Sequence, residues 1–156
     1  MVHADMMRQW INLFEDRQKF YHGSAENLSI GTILVPQNDY HEHWQHNNFY
    51  TILEAHRPPA ALAHHAAVFM VTDDNDLDLV GAMTEWVFVV EPLGPIEKHD
   101  MNWGTMIDVL ISDGASSFDE EVVACARSYW SGDSSPNEAV WEYLTTSARI
   151  LSSEQF

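Results

Sequence analysis

Residues 85–97 read EWVFVVEPLGPIE, an apolar run that ends in a Glu-Pro pair and a Gly-Pro pair. The run from Trp86 to Val90 is rich in β-branched and aromatic residues and predicts a strand. About seventy residues earlier the chain carries two further segments. Residues 20–24 read FYHGS, and residues 28–36 read LSIGTILVP. We expect these segments together to determine the fold.

In this order, the segments resemble the NAD-binding core of the small ADP-ribosyltransferases, and most closely the rifampin ADP-ribosyltransferases. Those enzymes carry a Tyr-x-His-Gly-Thr-like segment, a Leu-x-x-Gly segment and an aromatic-Val-Val-Glu-Pro-x-Gly-x-Ile-Glu segment. The resemblance covers roughly residues 20–102, about half of the chain. It implies an α+β fold, an ADP-ribosyltransferase-like split β-sandwich with flanking helices, in which two packed antiparallel sheets form a cleft for NAD.

Length and composition indicate one globular domain over residues 1–156. Apolar residues make up 46% of the chain, enough to build a core. No apolar run reaches the ~18 residues that a membrane span needs. The first residues lack the basic flank and apolar stretch of a secretory signal, and the single cysteine fits a reducing compartment. We therefore expect a cytoplasmic protein without membrane contact.

The charge balance limits the possible partners. The chain has seven basic and 24 acidic residues, which gives a formal net charge of −17. Such a surface repels nucleic acid and anionic lipid and favours a basic protein as partner. The two phosphates of NAD would then need local dipoles or one of few cations. The candidates are the backbone amides of Gly23 and Ser24 and the guanidinium of Arg57, the only Lys or Arg in residues 20–97.

Periodicity and capping signals predict the helices. An amphipathic helix is expected over residues 5–19, followed further along by helical turns from Phe49 to Ala55. A capping box at residues 117–120 predicts a helix that runs to Trp130 and stops at Gly132. Residues 72–74 and 135–138 carry two further helix-start signals. The first predicts a short helix through Met83.

The strands are predicted from short apolar runs. A His- and Asn-rich loop is expected between them at residues 37–48. The expected strands cover residues 20–22 with a turn at Gly23, then 32–35, 67–71, 86–90, 106–111 and 148–151.

The resemblance assigns the first site residue to His22. In the family, the histidine of this segment hydrogen-bonds the ribose on the nicotinamide side, and the neighbouring glycine lets the amide of the cofactor approach the backbone. Both roles fit the chemistry, because imidazole donates and accepts hydrogen bonds and glycine has no Cβ. Tyr21, His22, Gly23 and Ser24 are therefore candidate NAD-binding residues.

The second family element is an aromatic residue on a middle strand that stacks on nicotinamide. Here the strand reads Val68-Phe69-Met70-Val71-Thr72, where the family usually has Tyr, an apolar residue and Thr. Phe69 retains the ring face that stacking requires but lacks the hydroxyl. The resemblance implies that Phe69 stacks on the cofactor.

The third element is an acid that follows the Glu-Pro-x-Gly segment and stabilises the oxocarbenium ion formed as nicotinamide leaves. The run Ile96-Glu97-Lys98-His99-Asp100 offers two candidates, Glu97 directly and Asp100 with one inserted residue. Glu91, at the strand end within the Glu-Pro segment, is a third choice. Glu97 and Asp100 both stay open as catalytic residues, together with His22.

Two classes of function follow. The first is a mono-ADP-ribosyltransferase that moves ADP-ribose from NAD to an unidentified acceptor. The alternative is a non-catalytic acidic binder, a nucleic-acid mimic or an inhibitor of a basic partner, which the −17 charge favours. No metal is expected, because the dense histidines at residues 41–46 and 64–65 lack an HExxH pattern or a cysteine pair.

Overall fold

The computed structural model describes residues 18–36, 48–77, 79–80 and 83–154. The predicted helix over residues 5–19 falls almost entirely outside these ranges, and so does nearly all of the predicted loop at residues 37–48. The described residues form three α-helices and seven strands. The helices are α1 (Asn48–Ala55), α2 (Asn102–Ser112) and α3 (Glu120–Ser131). The strands are β1 (Phe20–Ser24), β2 (Ile33–Leu34), β3 (Val68–Met70), β4 (Trp86–Pro92), β5 (Glu97–Asp100), β6 (Trp141–Thr145) and β7 (Ala148–Glu154).

The strands form two antiparallel sheets, so the predicted α+β class is confirmed. The first sheet has the order β1-β4-β7-β2, and the second has the order β3-β6-β5. Strand β1 joins the two sheets through an isolated bridge between Tyr21 and Val71. The Tyr21 amide donates to the Val71 carbonyl at 2.7 Å, and the Val71 amide donates back at 3.0 Å. Residues that follow β3 are thereby held against the edge of the first sheet.

Side-chain alternation on the strands divides the core into two apolar clusters. One cluster lies between the sheets and contains Phe88, Val90 and Ile150 from the first sheet with Val68 and Met70 from the second. The other cluster joins the three helices to the opposite face of the second sheet. Its fully buried members include Leu53, Ile107, Val122 and Tyr129. The second sheet is therefore covered on both faces.

One sequence prediction is wrong in kind: residues 106–111 form part of helix α2, not a strand. The apolar positions Trp103, Ile107 and Leu110 recur at three- and four-residue spacing and pack into the helical core cluster. Exposed Thr105 and Val109 lie between them. The helical period extends over more residues than the short apolar run on which the strand prediction rested.

Three boundary predictions also differ from the structure. Strand β1 continues through Gly23 and Ser24, because both residues pair with β4. Asp73 does cap a helical turn by accepting from the Asn75 amide at 3.0 Å, but the regular turn covers only Asp74–Asp76. No helix follows the start signal at residues 135–138, since the amides of Ser135 and Val140 bind the Asp100 carboxylate instead.

Other predicted elements are confirmed. Helices α1 and α3, strand β3 and strands β4 and β7 all lie where the sequence places them, within three residues at each end. Gly132 ends α3 with φ +77, the left-handed conformation that glycine adopts without strain. An added Cβ there would lie 3.3 Å from the Lys98 carbonyl oxygen. The end of α3 is thus packed against β5.

We predict that Gly132→Ala destabilises the fold by about 1–2 kcal/mol, because a Cβ strains the left-handed backbone. Gly132→Asn is the matched variant, since asparagine tolerates this conformation better, and it should cost less. Urea denaturation of the three proteins measures the difference. Equal stability of all three would contradict the capping role.

Candidate functional site

His22 lies at the junction of the two sheets and is anchored to the second. Its Nδ1 donates to the Phe69 carbonyl oxygen at 2.8 Å. Burial lowers the pKa of His22, and the bond to the Phe69 carbonyl opposes this shift only partly. A neutral ring whose Nδ1 carries the proton leaves the lone pair on Nε2, which can accept a hydrogen bond from a hydroxyl group.

Phe69 and Glu97 lie in one cross-strand row of the second sheet. Phe69 on β3 pairs with Leu144 on β6, and Leu144 pairs in turn with Glu97 on β5. Residues in register share a face of a sheet. Since neighbouring strands lie ~4.8 Å apart, the backbones of Phe69 and Glu97 are about 10 Å apart on that face. The structure thus brings two of the predicted residues, Phe69 and Glu97, to one face of the second sheet. His22 pairs with Phe88, whose side chain lies in the cluster on the opposite face, and reaches the site only through the Phe69 carbonyl at the sheet junction.

The Glu97 carboxylate is held from two directions while 30% of its side chain remains exposed. Oε2 accepts from the Leu62 amide at 2.8 Å. Oε1 lies 3.2 Å from Nε2 of His99. Each carboxylate oxygen can accept two hydrogen bonds, so these contacts leave acceptor capacity for a ligand.

Asp100 has a different environment, although it lies only three positions after Glu97. The residue has no exposed surface. Oδ1 accepts from the amides of Asn102 and Val140 at 2.9 and 3.0 Å, and Oδ2 accepts from the Ser135 amide at 2.6 Å. The carboxylate therefore ties the start of α2 to the segment that leads into β6, a structural position closed to solvent.

Tyr21, Gly23 and Ser24 are held by strand pairing. Gly23 and Ser24 pair with Val87 and Trp86 on β4, and Ser24 Oγ accepts from the Glu26 amide at 3.0 Å. The pKa of Tyr21 is raised by burial and by the negative charges of nearby Asp74, Glu154 and Asp73. The surroundings of β1 are thus acidic, which matters for any anionic ligand.

Arg57 is engaged in a local clamp at the end of α1. Its Nε donates to Glu54 Oε2 at 3.0 Å, and Nη1 donates to the Ala61 carbonyl oxygen at 2.7 Å. The other Glu54 oxygen accepts from the His64 amide at 2.6 Å. Together with the Leu62–Glu97 bond, these contacts fix the segment from Pro58 to His64. The side chain of Arg57 is 26% exposed, and its guanidinium is already paired with a carboxylate.

A buried polar cluster, which sequence reasoning missed, lies beside the Phe69–Glu97 row on the same face of the second sheet, where helix α3 packs. Its centre is the Tyr129 hydroxyl, which lies 2.6 Å from Glu142 Oε1 and 2.7 Å from His64 Nε2. His64 packs its ring between aromatic neighbours, with centroids 5.1 Å from Trp130 and 5.8 Å from Phe69. The one sequence signal was the position of Glu142 among apolar neighbours in what proves to be β6.

Burial controls the protonation of this cluster. Desolvation raises the pKa of Glu142 to about 8, although the bond to Tyr129 opposes the shift. Desolvation also lowers the pKa of His64 to about 3, with further contributions from the charges of His99 and Arg57. At neutral pH the cluster therefore holds an uncharged carboxylic acid and an uncharged imidazole. Within the described residues Glu142 Oε2 makes no hydrogen bond, which also favours the neutral acid.

These two pKa shifts predict the pH range of maximal stability. Folded Glu142 retains a proton that the unfolded chain releases between pH 4.5 and about 8, so stability falls as the pH rises through that range. Between pH 6.5 and about 3, His64 binds a proton in the unfolded chain but stays unprotonated in the folded one. Stability therefore falls as the pH drops through that range. The two slopes cancel between pH 4.5 and 6.5, where we expect a plateau.

Glu142→Gln should remove the decline above about pH 6.5, which we expect to amount to a few kcal/mol at most. Chemical denaturation of both proteins from about pH 5 to about pH 9 measures it. The exposed substitution Glu138→Gln on the preceding segment is the control and should leave the decline intact. A similar decline in the Glu142→Gln protein would assign it to other groups.

If Asp100 has a structural role, its substitution should lower the stability of the fold. Asp100→Asn should lower the free energy of unfolding by about 2–4 kcal/mol, because an amide supplies one oxygen where three buried backbone donors need acceptors. Asp133→Asn, on the exposed part of the same segment, should change it by less than about 0.5 kcal/mol. Denaturation midpoints test this, and unchanged stability of the Asp100→Asn protein would contradict it.

The described residues contain neither a metal-ligand cluster nor a membrane-spanning helix. None of their His, Cys, Asp and Glu residues come together in a group of three that could hold a metal ion. His41, His43 and His46 lie outside the described ranges. No helix formed by the described residues is both long and apolar enough to cross a membrane.

No protein-family model matches the chain, and no curated protein matches it. The function must therefore be argued from the site itself.

Proposed function

We propose that this protein binds NAD against Phe69 and transfers its ADP-ribose to an acceptor, with release of nicotinamide. The observation that supports this best is the row formed by Phe69, Leu144 and Glu97, with His22 anchored to the Phe69 carbonyl. An aromatic face and a carboxylate on one side of a sheet, with a hydrogen-bonding imidazole at the sheet junction, are the groups that the reaction requires.

In the proposed reaction each group has a separate task. Phe69 stacks on the nicotinamide ring, and His22 accepts a hydrogen bond from the adjoining ribose through Nε2. The bond between the ribose C1′ and the nicotinamide nitrogen breaks, and its electron pair leaves with nicotinamide. The carboxylate of Glu97 stabilises the positive charge that develops on the ribose. A nucleophilic acceptor then bonds to C1′ and loses its proton to a base.

Of the two acids, Glu97 is better suited than Asp100. Glu97 retains exposure and acceptor capacity, whereas the Asp100 carboxylate is buried and bound by three backbone amides. The reaction therefore assigns the charge-stabilising role to Glu97 and a supporting role to Asp100.

The phosphates of NAD face an acidic surface. The backbone amides of Gly23 and Ser24, at the end of β1, are one candidate for a polar contact with these phosphates. Arg57 would have to exchange part of its pairing with Glu54 for a phosphate oxygen. We expect the affinity for NAD to be modest for this reason, and to rise with ionic strength as repulsion from the −17 surface is screened.

His22→Asn tests NAD binding without breaking the sheet junction. The Asn amide occupies the position of Nδ1 and preserves the donor to Phe69, but Nε2 is lost. We expect at least a roughly tenfold weaker Kd for NAD, about 1.4 kcal/mol, with little change in melting temperature. Calorimetry measures both. Failure of the unmutated protein to bind NAD at millimolar concentration would rule out the proposed function.

Glu97→Gln tests catalysis. The carboxylate meets a charge that exists only in the transition state, so the rate of nicotinamide release should fall by at least about a hundredfold while the Kd for NAD changes little. Glu91→Gln, at the end of β4, is the matched control and should retain the rate. If only the Asp100→Asn protein loses rate, and its stability is unchanged, the charge-stabilising role belongs to Asp100.

A second candidate function is favoured by one observation, the net charge of −17. A non-catalytic binder would hold a basic protein through this charge. Its affinity should collapse as the Debye length shrinks from ~10 Å at 0.1 M salt to ~3 Å at 1 M, whereas NAD binding should persist. Salt titration of both interactions distinguishes the two functions.

A further inference from the structure

His99 is a buried polar side chain that contacts Glu97. It is 2% exposed and lies two residues beyond Glu97 on β5, on the same face of the sheet. Its Nδ1 donates to the Tyr129 carbonyl oxygen at 2.7 Å. Its ring stacks on Tyr129, with centroids 4.5 Å apart and planes at 21°. Helix α3 therefore fixes both the position and the tilt of the imidazole.

The contact between His99 and Glu97 requires a proton. A carbonyl oxygen only accepts, so Nδ1 of His99 must carry hydrogen. A neutral ring would then present a lone pair on Nε2 to Glu97 Oε1, which lies 3.2 Å away. Two acceptors at this distance repel each other unless a proton lies between them. The geometry therefore indicates a proton shared by Nε2 and Oε1.

We propose that His99 is a positioning residue that orients the Glu97 carboxylate for ADP-ribose transfer, an inference that rests on the proposed function. One carboxylate oxygen is held by His99, and the other accepts from the Leu62 amide at 2.8 Å. Two contacts on different oxygens fix the rotation of the carboxylate plane. A carboxylate that is already oriented stabilises a developing positive charge without reorganisation.

The charges around His99 are consistent with this role. Glu142 is its cross-strand partner on β6, and Tyr129 and Trp130 cover it from α3. His64 approaches from the 3₁₀ turn that precedes β3, and its own charged form is disfavoured in part by His99. Lys98 lies on the other face of the sheet, where its Nζ lies 4.2 Å from the centre of the Trp141 ring. Glu97 and Glu142 are thus the carboxyl groups that face His99.

Two substitutions separate positioning from packing. In His99→Asn the amide nitrogen occupies the position of Nδ1 and preserves the donor to Tyr129, but the contact with Glu97 is lost. In His99→Gln the longer amide reaches the position of Nε2 and preserves a donor to Glu97. A residue that only packs the core would lose as much activity in one variant as in the other, in proportion to stability.

We expect His99→Asn to lower kcat for nicotinamide release by about 10- to 100-fold, the effect of losing residues that orient metal ligands, which act on a carboxylate in the same way. The Kd for NAD should change less than about threefold. His99→Gln should restore kcat to within about fivefold of the unmutated protein. Equal losses in the two variants, or no loss in His99→Asn, would overturn the proposal.

A readout that does not depend on activity separates this proposal from the proposed function. In the unmutated protein, proton NMR should show a downfield imidazole resonance that depends on both His99 and Glu97. It should be absent from His99→Asn and changed in Glu97→Gln, where an amide can donate to Nε2. Absence of that resonance would overturn the positioning contact even if nicotinamide is released. Its presence without nicotinamide release by the unmutated protein would instead refute the proposed function, and with it the catalytic part of this inference.

Discussion

The structure depends on the buried carboxylate of Asp100. A charge that is removed from water must be compensated, and here three backbone amides from two separate segments provide the compensation. The same contacts end β5, begin α2 and fix the chain before β6. The register of β5 on β6, and with it the position of Glu97 beside Leu144, follows from this anchor.

Beside the proposed site lies a buried layer of polar and aromatic side chains between the second sheet and helix α3. Tyr129 is its centre, because its hydroxyl contacts Glu142 and His64 while its carbonyl oxygen accepts from His99. The two partly exposed acids at its margins, Glu54 and Glu97, each bind a backbone amide of the segment that precedes β3. Burial keeps Glu142 and His64 uncharged, so the layer supports the site without a strong field of its own. Glu97 keeps part of its side chain exposed at the margin of this layer.

The accuracy of prediction depended on how local each signal was. Helix α3 was predictable because its apolar period and Gly132 lie within one short segment. Its predicted capping box was wrong, because the helix starts after Asp119, which makes no side-chain cap hydrogen bond and binds Ser116 instead. Strand β4 was predictable because a run of Val and Phe strongly favours a strand. Residues 106–111 were misread because a short apolar run fits either period, and the packing of Ile107 against the other helices decides between them. The start signal at residues 135–138 failed because Asp100 binds the Ser135 amide from 35 residues away.

The sequence by itself determined the α+β class, the acidic surface and the set of chemically capable residues, since these follow from composition and local pattern. Only the tertiary structure decided which of them can act. Glu97 and Asp100 are indistinguishable as neighbouring acids in one short run, yet one keeps exposed acceptor capacity and the other is bound by three backbone donors. Arg57 is one cation among many acids in the sequence, and the fold places it against Glu54. Burial and hydrogen-bond partners arise from contacts between distant segments, so they cannot be predicted from a local sequence pattern.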